Sequence, residues 1–474
     1  MNNIYTHFLK NTGYVLLGNS GSKIISVLML PLYTRWLSIE EFGLVDLLQI
    51  YSALLIVIVG ACIVDAIFVL PANKNGEEQT SYFTSGFCFI SIVSFIFVLL
   101  LPFISYVPDD VIPNSVKLSK WYLCFLLISS LLQGYTQNFC MSIDKMRAYS
   151  VTGFINTLFS CVLSFLFIPS LKAEGYVLAF SLSNMICFLY NIVINKLWKY
   201  VDVGRIQYSK IAEMLGYSIP LIPNGIMWWL VAALNKPMVE NYMGLYGVGI
   251  MAVAQKIPNF LNSMSGMFSS SWQVSVVKQF GTDSYERFYN KMLLLFICSY
   301  TVIGMALVGA CNILISILAD EKFYDAHLYI PLLIGSVVFG ALSPLVAANF
   351  AASKQSKFYF YSTIWGALVS LVASYLLIPK LMIWGAVGSI LMAQIAIFTV
   401  RLYYANRIVQ HRNLLAIGSV MSLFLVTCIC CSIYDGGVIR CFISFLYIAI
   451  IFIINRNTLQ AIINKIIPYA KRYF

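Results

Sequence analysis

Two lysines stand in stretches apolar enough to cross a bilayer. Lys23 lies near the middle of the run 13–34 with Asn19 and Ser26 at helical spacing, so at about 100° per residue the three share one helical face. A lysine at mid-depth costs about 2.5–3.5 kcal/mol on an insertion scale, which is tolerated where the side chain faces a bundle interior, a partner charge or water. Lys256 repeats the arrangement in the run 245–272, where Gly249, Lys256, Asn259, Ser263 and Ser270 form a narrow stripe and Pro258 weakens the backbone ladder beside the lysine. Two cations facing one cavity repel each other unless an anion sits between them, which makes an anionic substrate group the chemistry to expect. The competing reading is that each lysine snorkels or serves its own half as a structural charge, paired with Asp65.

Other ionisable groups are sparse. Asp65, toward the cytosolic end of the run 44–70, could couple transport to protons or sodium or could balance Lys23, the use favoured here. Asp46 falls near the outer interface and is expected to be solvated. Pro220 and Pro223, with Asn224, read as a kink or hinge at the start of the run 215–235. His7, His327 and His411 are too dispersed for a metal site or a catalytic triad, and there is no GxxxxGK[ST] loop for ATP. The 12 cysteines sit in apolar stretches without zinc-ligand spacing and read as small core residues. No metal, cofactor or enzymatic activity is expected.

Composition dictates the elements that must carry these residues. With 474 residues, 60% hydrophobic and only 10% charged, the chain cannot hide its apolar surface in a soluble core, so it is a polytopic membrane protein. Spanning runs lie at 13–34, 44–70, 82–106, 121–141, 150–171, 175–195, 215–235, 245–272, 291–318, 328–352, 358–379, 383–405, 414–433 and 436–455. These runs are continuous rather than alternating, which predicts about fourteen helices and excludes a barrel. The first run is too long for a signal peptide and is expected to stay. A cytosolic N-terminus puts twenty Lys and Arg on the inner side and eight on the outer, which fixes the orientation with both termini cytosolic. The net charge of +11 then reflects topology and lipid contact rather than nucleic-acid binding.

An internal repeat divides the chain. Ile168-Pro169-x-Leu171-x-x-x-Gly175 recurs as Ile378-Pro379-x-Leu381-x-x-x-Gly385, and Arg147 and Tyr149 match Lys357 and Tyr359 at the same offset of 210. Pro31 and Phe42-Gly43 are echoed by Pro237 and Tyr246-Gly247, at offsets of 206 and 204. Two six-helix halves follow, spans 1–6 in residues 1–200 and spans 7–12 in 201–405, joined by the basic segment 196–210. Six is even, so the halves should enter the membrane in the same direction and be related by an axis along its normal. Residues 406–474 hold spans 13 and 14 and an amphipathic tail, Leu459 to Ile467 beside Lys465, Lys471 and Arg472, suited to an anionic inner leaflet.

The polar-studded first span ending in PLYTRWLSIEEFGLVDLL, the fourteen spans, the repeated halves and the basic central loop resemble a Wzx-type polysaccharide flippase. That family belongs to the multidrug/oligosaccharidyl-lipid/polysaccharide exporter superfamily. The resemblance spans essentially the whole chain, and its most specific piece is Leu37-Ser38 to Glu41-Phe42-Gly43. It implies flipping of an undecaprenyl-pyrophosphate-linked oligosaccharide across the bacterial inner membrane for O antigen, lipopolysaccharide or capsule, through a cationic lumen. It also implies a polysaccharide polymerase and a chain-length regulator as partners. Lys23 and Lys256, with Arg147 and Lys357 near the cytosolic mouth, are the cations available to such a lumen. A cation-coupled multidrug exporter would want buried carboxylates and finds only Asp65, whereas a polytopic polymerase would need reactive loops outside the lipid.

Orientation is directly testable. Single-cysteine labelling from the cytosolic side should reach 196–210 and the C-terminal tail, which hold eight of the inner-side cations, and labelling of either from the opposite side would overturn the topology.

Overall fold

The computed structural model describes residues 25, 27–109, 112–410, 414–434 and 436–454. Most of the first predicted span, and the whole tail helix, lie outside these residues. Among the described residues all regular elements are helical: α1 (Leu30–Trp36), α2 (Ile39–Val59), α3 (Ile63–Val69), α4 (Gly76–Leu100), α5 (Asn114–Leu118), α6 (Lys120–Ser142), α7 (Met146–Val193), α8 (Tyr208–Ser218), α9 (Ile222–Ala232), α10 (Asn235–Ala254), α11 (Lys256–Gln279), α12 (Tyr285–Leu318), α13 (Ile330–Ala352), α14 (Lys357–Leu381), α15 (Ile383–Asn406), α16 (Leu414–Ile433) and α17 (Gly437–Ile454). Nine helical stretches among them have the length and composition to cross a membrane. Two of these, Met146–Val193 and Tyr208–Gln279, each hold two predicted spans separated by a backbone break. The expected all-helical, multi-span architecture is therefore present.

Contacts gather the chain into two compact units. The first comprises residues 1–252, 318–323 and 370–386; the second comprises 253–317, 324–369 and 387–474. In the first unit, α2 starts at a capping box, in which the Ser38 hydroxyl accepts from the Glu41 N–H and the Glu41 carboxylate accepts from the Ser38 N–H at 2.8 Å. The predicted continuous span 44–70 breaks after Val59, because Ala61 and Cys62 both take left-handed conformations (φ 47° and 52°) before α3 begins. Asn138 of α6 donates to the carbonyl of Val64 at 3.2 Å, supplying a partner near the interrupted ladder. Around it, Ile63, Ile67, Phe83, Leu131, Tyr135 and Phe139 form the core, and the Tyr135 hydroxyl donates to the Phe83 carbonyl at 2.8 Å.

The repeated motif is a hairpin corner. In α7 the arms 146–171 and 173–193 reverse at Lys172 (φ 54°), and Asn156 bonds Asn184 at 2.7 Å while Thr152 donates to Asn191 at 2.8 Å, as antiparallel arms require. Met382 (φ 52°) occupies the same motif position between α14 and α15. A Cβ on Gly175 would lie 2.3 Å from the Phe167 carbonyl oxygen, and one on Gly385 would lie 2.4 Å from that of Leu377. Each proline lies in the last turn of the outgoing arm, three residues before the reversal, and each glycine lets the returning arm pass against backbone.

A second repeat contact is reciprocal. α2 and the arm 245–254 of α10 cross so closely that a Cβ on Gly43 would stand 2.2 Å from the Leu245 oxygen and one on Gly249 would stand 2.0 Å from the Ile39 oxygen. Ile39 and Gly43 become Leu245 and Gly249 at one offset of 206, so the crossing has local two-fold character within this unit. The sequence reading aligned Gly43 with Gly247; the crossing pairs it with Gly249. Gly244 (φ 67°) sits at the position matching the Ser38 cap and separates 235–243 from 245–254. The basic segment 196–210 is fastened to α4, with Thr84 donating to the Tyr200 carbonyl at 2.8 Å and the Gln207 N–H donating to Ser85 at 3.0 Å.

The second unit is built on α13, most of whose side chains are buried, with Trp272 of α11 donating to the Leu345 carbonyl at 2.9 Å. Arg440 is fully buried and donates to the carbonyl of Cys431 at 2.7 Å and to Asn312 at 3.1 Å. It had counted as an outer-side surface charge; the structure instead spends it on carbonyl and amide oxygens that helix ends leave open.

The α2–α10 crossing predicts a sharp contrast between glycines. Gly249→Ala should destabilise the protein by about 1–3 kcal/mol through overpacking against backbone. Gly418→Ala, at an open site on α16, should be neutral or stabilise by up to about 1 kcal/mol. Thermal denaturation in detergent distinguishes the two.

Candidate functional site

Lys23, Asn19 and Ser26 lie outside the described residues. Lys256 is half-buried and opens α11 directly after a one-residue break at Gln255. The break has a simple origin: Pro258 has no N–H to bond the Ala254 carbonyl, so the ladder restarts with the Asn259 N–H on Gln255 at 3.0 Å. Asn259 is exposed, and Ser263, one turn on, donates back to its carbonyl at 2.9 Å. Of the predicted stripe, Lys256, Asn259, Ser263 and Ser270 lie on one helix, whereas Gly249 lies before the break at Gln255.

Arg147 and Lys357 occupy equivalent positions in the first turns of α7 and α14, and both are exposed. Asp65 lies in the first turn of α3, exposed, and makes no ion pair among the described residues. Pro220 falls in a one-turn 3-10 segment between α8 and α9, and Pro223 lies in the first turn of α9, so the predicted span 215–235 changes to 3-10 geometry where the two prolines remove N–H donors. Among the described residues no group of His, Cys, Asp and Glu is placed to hold a metal ion.

Buried charges appear where the sequence reading placed surface ones. Asp46, expected to be solvated, is only 14% exposed and pairs with the 6% exposed Lys236 at 2.6 Å, joining α2 to α10. Nearby on α10, Glu240 accepts from Ser115, and its second oxygen is buried without a hydrogen bond. Arg401 of α15, counted among the inner-side loop charges, is 3% exposed. Its Nε donates to Ser362 at 3.0 Å and its guanidinium lies 5.5 Å from the ring centre of Tyr359, with no carboxylate paired to it among the described residues. The repeat could have located it: Thr152 and Asn191, hydrogen-bonded in the first half, become Ser362 and Arg401 at the offset of 210, and Tyr149 becomes Tyr359. A neutral pair in one half is thus replaced by a cation in the other.

Buried charge among the described residues thus comprises the Asp46–Lys236 pair, Glu240 and Arg401, the last set among a hydroxyl and an aromatic ring. A family model described as polysaccharide biosynthesis protein matches residues 8–276. The chain belongs to this family. Among solved structures, the lipid II flippase MurJ in an inward closed conformation superposes with a TM-score of 0.63 at 14% identity, covering 95% of this chain and all of that one. An inward-facing multidrug resistance MATE family transporter of the MOP superfamily gives a TM-score of 0.58 at 12% identity, over 87% of this chain and 95% of its own. An uncharacterised membrane protein of Methanocaldococcus jannaschii is 19% identical over 423 residues, 85% of this chain and 99% of the relative. These likenesses establish the fold shared by the family member described here and two solved membrane transporters.

The two kinds of buried cation should respond oppositely to removal. Lys236→Met strands Asp46 and should cost about 3–5 kcal/mol, with much of the loss restored by a second change, Asp46→Leu. Arg401→Met strands no carboxylate and should leave thermal stability unchanged or raised, which the same melting assay reads.

Proposed function

We propose that this protein is a flippase that moves an undecaprenyl-pyrophosphate-linked oligosaccharide across the bacterial inner membrane by alternating access, for O antigen or capsule. The observation that carries the reading is membership of a polysaccharide biosynthesis family on a transporter fold that buries a cation, Arg401 at 3% exposure, near the end of a spanning helix. A pyrophosphate is the group that such charges would receive, because low dielectric strengthens a charge-assisted contact relative to water. The half-buried Lys256 is assigned the role of a phosphate-handling cation, with Asn259 and Ser263 presenting polar groups to the sugars, and Lys23, Asn19 and Ser26 the same role from the first span. Arg147 and Lys357 are assigned to substrate capture at the cytosolic mouth. Pro220 and Pro223 are assigned the bend that moves, and Asp65 charge balance or coupling to protons or sodium. A carrier of cationic drugs would need acids free to meet them, whereas Asp46 is paired with Lys236 and Glu240 accepts from Ser115.

A charge series at Lys256 in the native host tests the reading. Lys256→Arg should export nearly normally, Lys256→Ala should lose about tenfold, and Lys256→Glu should abolish surface polysaccharide, all with normal amounts of inserted protein. Undiminished export by an inserted Lys256→Glu protein would refute the assignment, and a parallel fall of abundance and export would make the lysine structural.

A further inference from the structure

The second unit contains a cavity of about 580 Å³ where the C-terminal ends of α13 and α15 meet the start of α14. One wall is cationic and polar, formed by Lys354, Gln355 and Arg407; the other is apolar, formed by Phe280, Phe358 and Ile408. Lys354 is held out by a left-handed backbone (φ 58°), in a helix-ending turn whose counterpart in the first half is Asp144, also at φ 58°. The same turn thus carries an acid in one half and a base in the other. Arg407 is anchored by the Tyr403 hydroxyl and lies 4.6 Å from that ring's centre. Neither Lys354 nor Arg407 has an ion pair among the described residues.

The charge around this cavity is one-sided. Residues 349–363 and 398–410 contain no Asp or Glu, and Asp283, three residues from Phe280, is the acid nearest the lining in sequence. Lys357 lies over the Phe358 ring, and Arg401 stands about 9 Å along α15 from Arg407, six residues at 1.5 Å each. Phe358 stacks on Tyr404 at 4.3 Å, which orients that ring. An apolar wall facing cations without an ion pair among the described residues, at the ends of spanning helices, matches the boundary between a phospholipid's headgroup and its chains.

We propose that this cavity binds the phosphate headgroup of an anionic bilayer phospholipid, with Lys354 and Arg407 on the phosphate and Phe280, Phe358 and Ile408 against the glycerol and upper acyl chain. A free phosphate would satisfy the two cations but leave the apolar wall uncovered, whereas a lipid covers both. The volume lies in the range of small-molecule pockets and is far larger than one phosphate needs. The ligand is a component of the membrane rather than the transported cargo, so the site would tie the protein's occupancy to the charge of its leaflet.

Native mass spectrometry of the purified full-length protein, with no polyprenyl lipid present, tests this independently of transport. Dioleoyl phosphatidylglycerol should bind the parent at least about tenfold more tightly than it binds the Lys354→Gln, Arg407→Gln double variant. Phosphatidylcholine binding should be equal in the two, a Lys196→Gln, Lys199→Gln control should behave as the parent, and millimolar inorganic phosphate should not displace the bound lipid. Should the double variant fail to elute as a single species, Lys354→Gln alone, an exposed turn residue, should lose about threefold. Equal phosphatidylglycerol binding by parent and variant would overturn the site, equal loss in the control would reduce it to general surface charge, and displacement by inorganic phosphate would assign it to a soluble anion instead.

Discussion

Inside hydrocarbon every backbone N–H and C=O must find its partner within the protein, and each interruption of a helix in this chain must be read against that constraint. Among the described residues, the breaks at 60–62, at Lys172, at Gly244, before Lys256 and at Met382 are among the places where the protein departs from straight rods. Each is compensated or exploited. Asn138 reaches the Val64 carbonyl beyond the first break, and at Lys172 and Met382 the break becomes a corner that lets two spans return against each other. Glycines placed at carbonyls, Gly175, Gly385, Gly43 and Gly249, then allow backbones to approach as closely as helices without side chains can. In lipid, where apolar side chains gain little by leaving one apolar surface for another, such close packing is a principal source of helix association.

The same constraint explains how charge is distributed. An ion in this environment needs a counter-ion, a set of oxygens or a functional reason to be there. Lys236 has Asp46, and Arg440 has the oxygens of Cys431, Asn312 and His327. Arg401 has a hydroxyl and an aromatic face, which orient it but do not neutralise it. Cations without a paired carboxylate among the described residues therefore include Arg401 near the end of α15 and Lys354 and Arg407 at the cavity beyond it. A membrane protein that retains uncompensated cations is suited to ligands that bring phosphate.

The two copies of the corner motif share geometry but not chemistry. Each copy has a glycine where a side chain would strike backbone. Asn191 against Arg401 and Asp144 against Lys354 show that side chains beside the same turns were free to change charge. Such divergence at fixed positions is where the halves can acquire different roles.

Much of this was determined by the sequence alone. Continuous apolar runs can only be helices in lipid, so the span list, the all-helical class and the repeat follow from hydrophobic length and residue spacing. Pro258, lacking an N–H, fixes a weak point beside Lys256 wherever the helix packs. What tertiary structure decided was which runs bend and which charges go inside. The left-handed residues Ala61 and Cys62 are not glycines, and a single Gly60 inside an apolar run does not by itself mark a break, so the interruption of 44–70 depends on packing such as that of Leu131 of α6 against Gly60. Arg401, Lys236 and Asp46 sit near span ends, where composition cannot tell a solvated charge from a buried one. Their burial depends on partners 39 and 190 residues away in the chain, which local sequence does not contain.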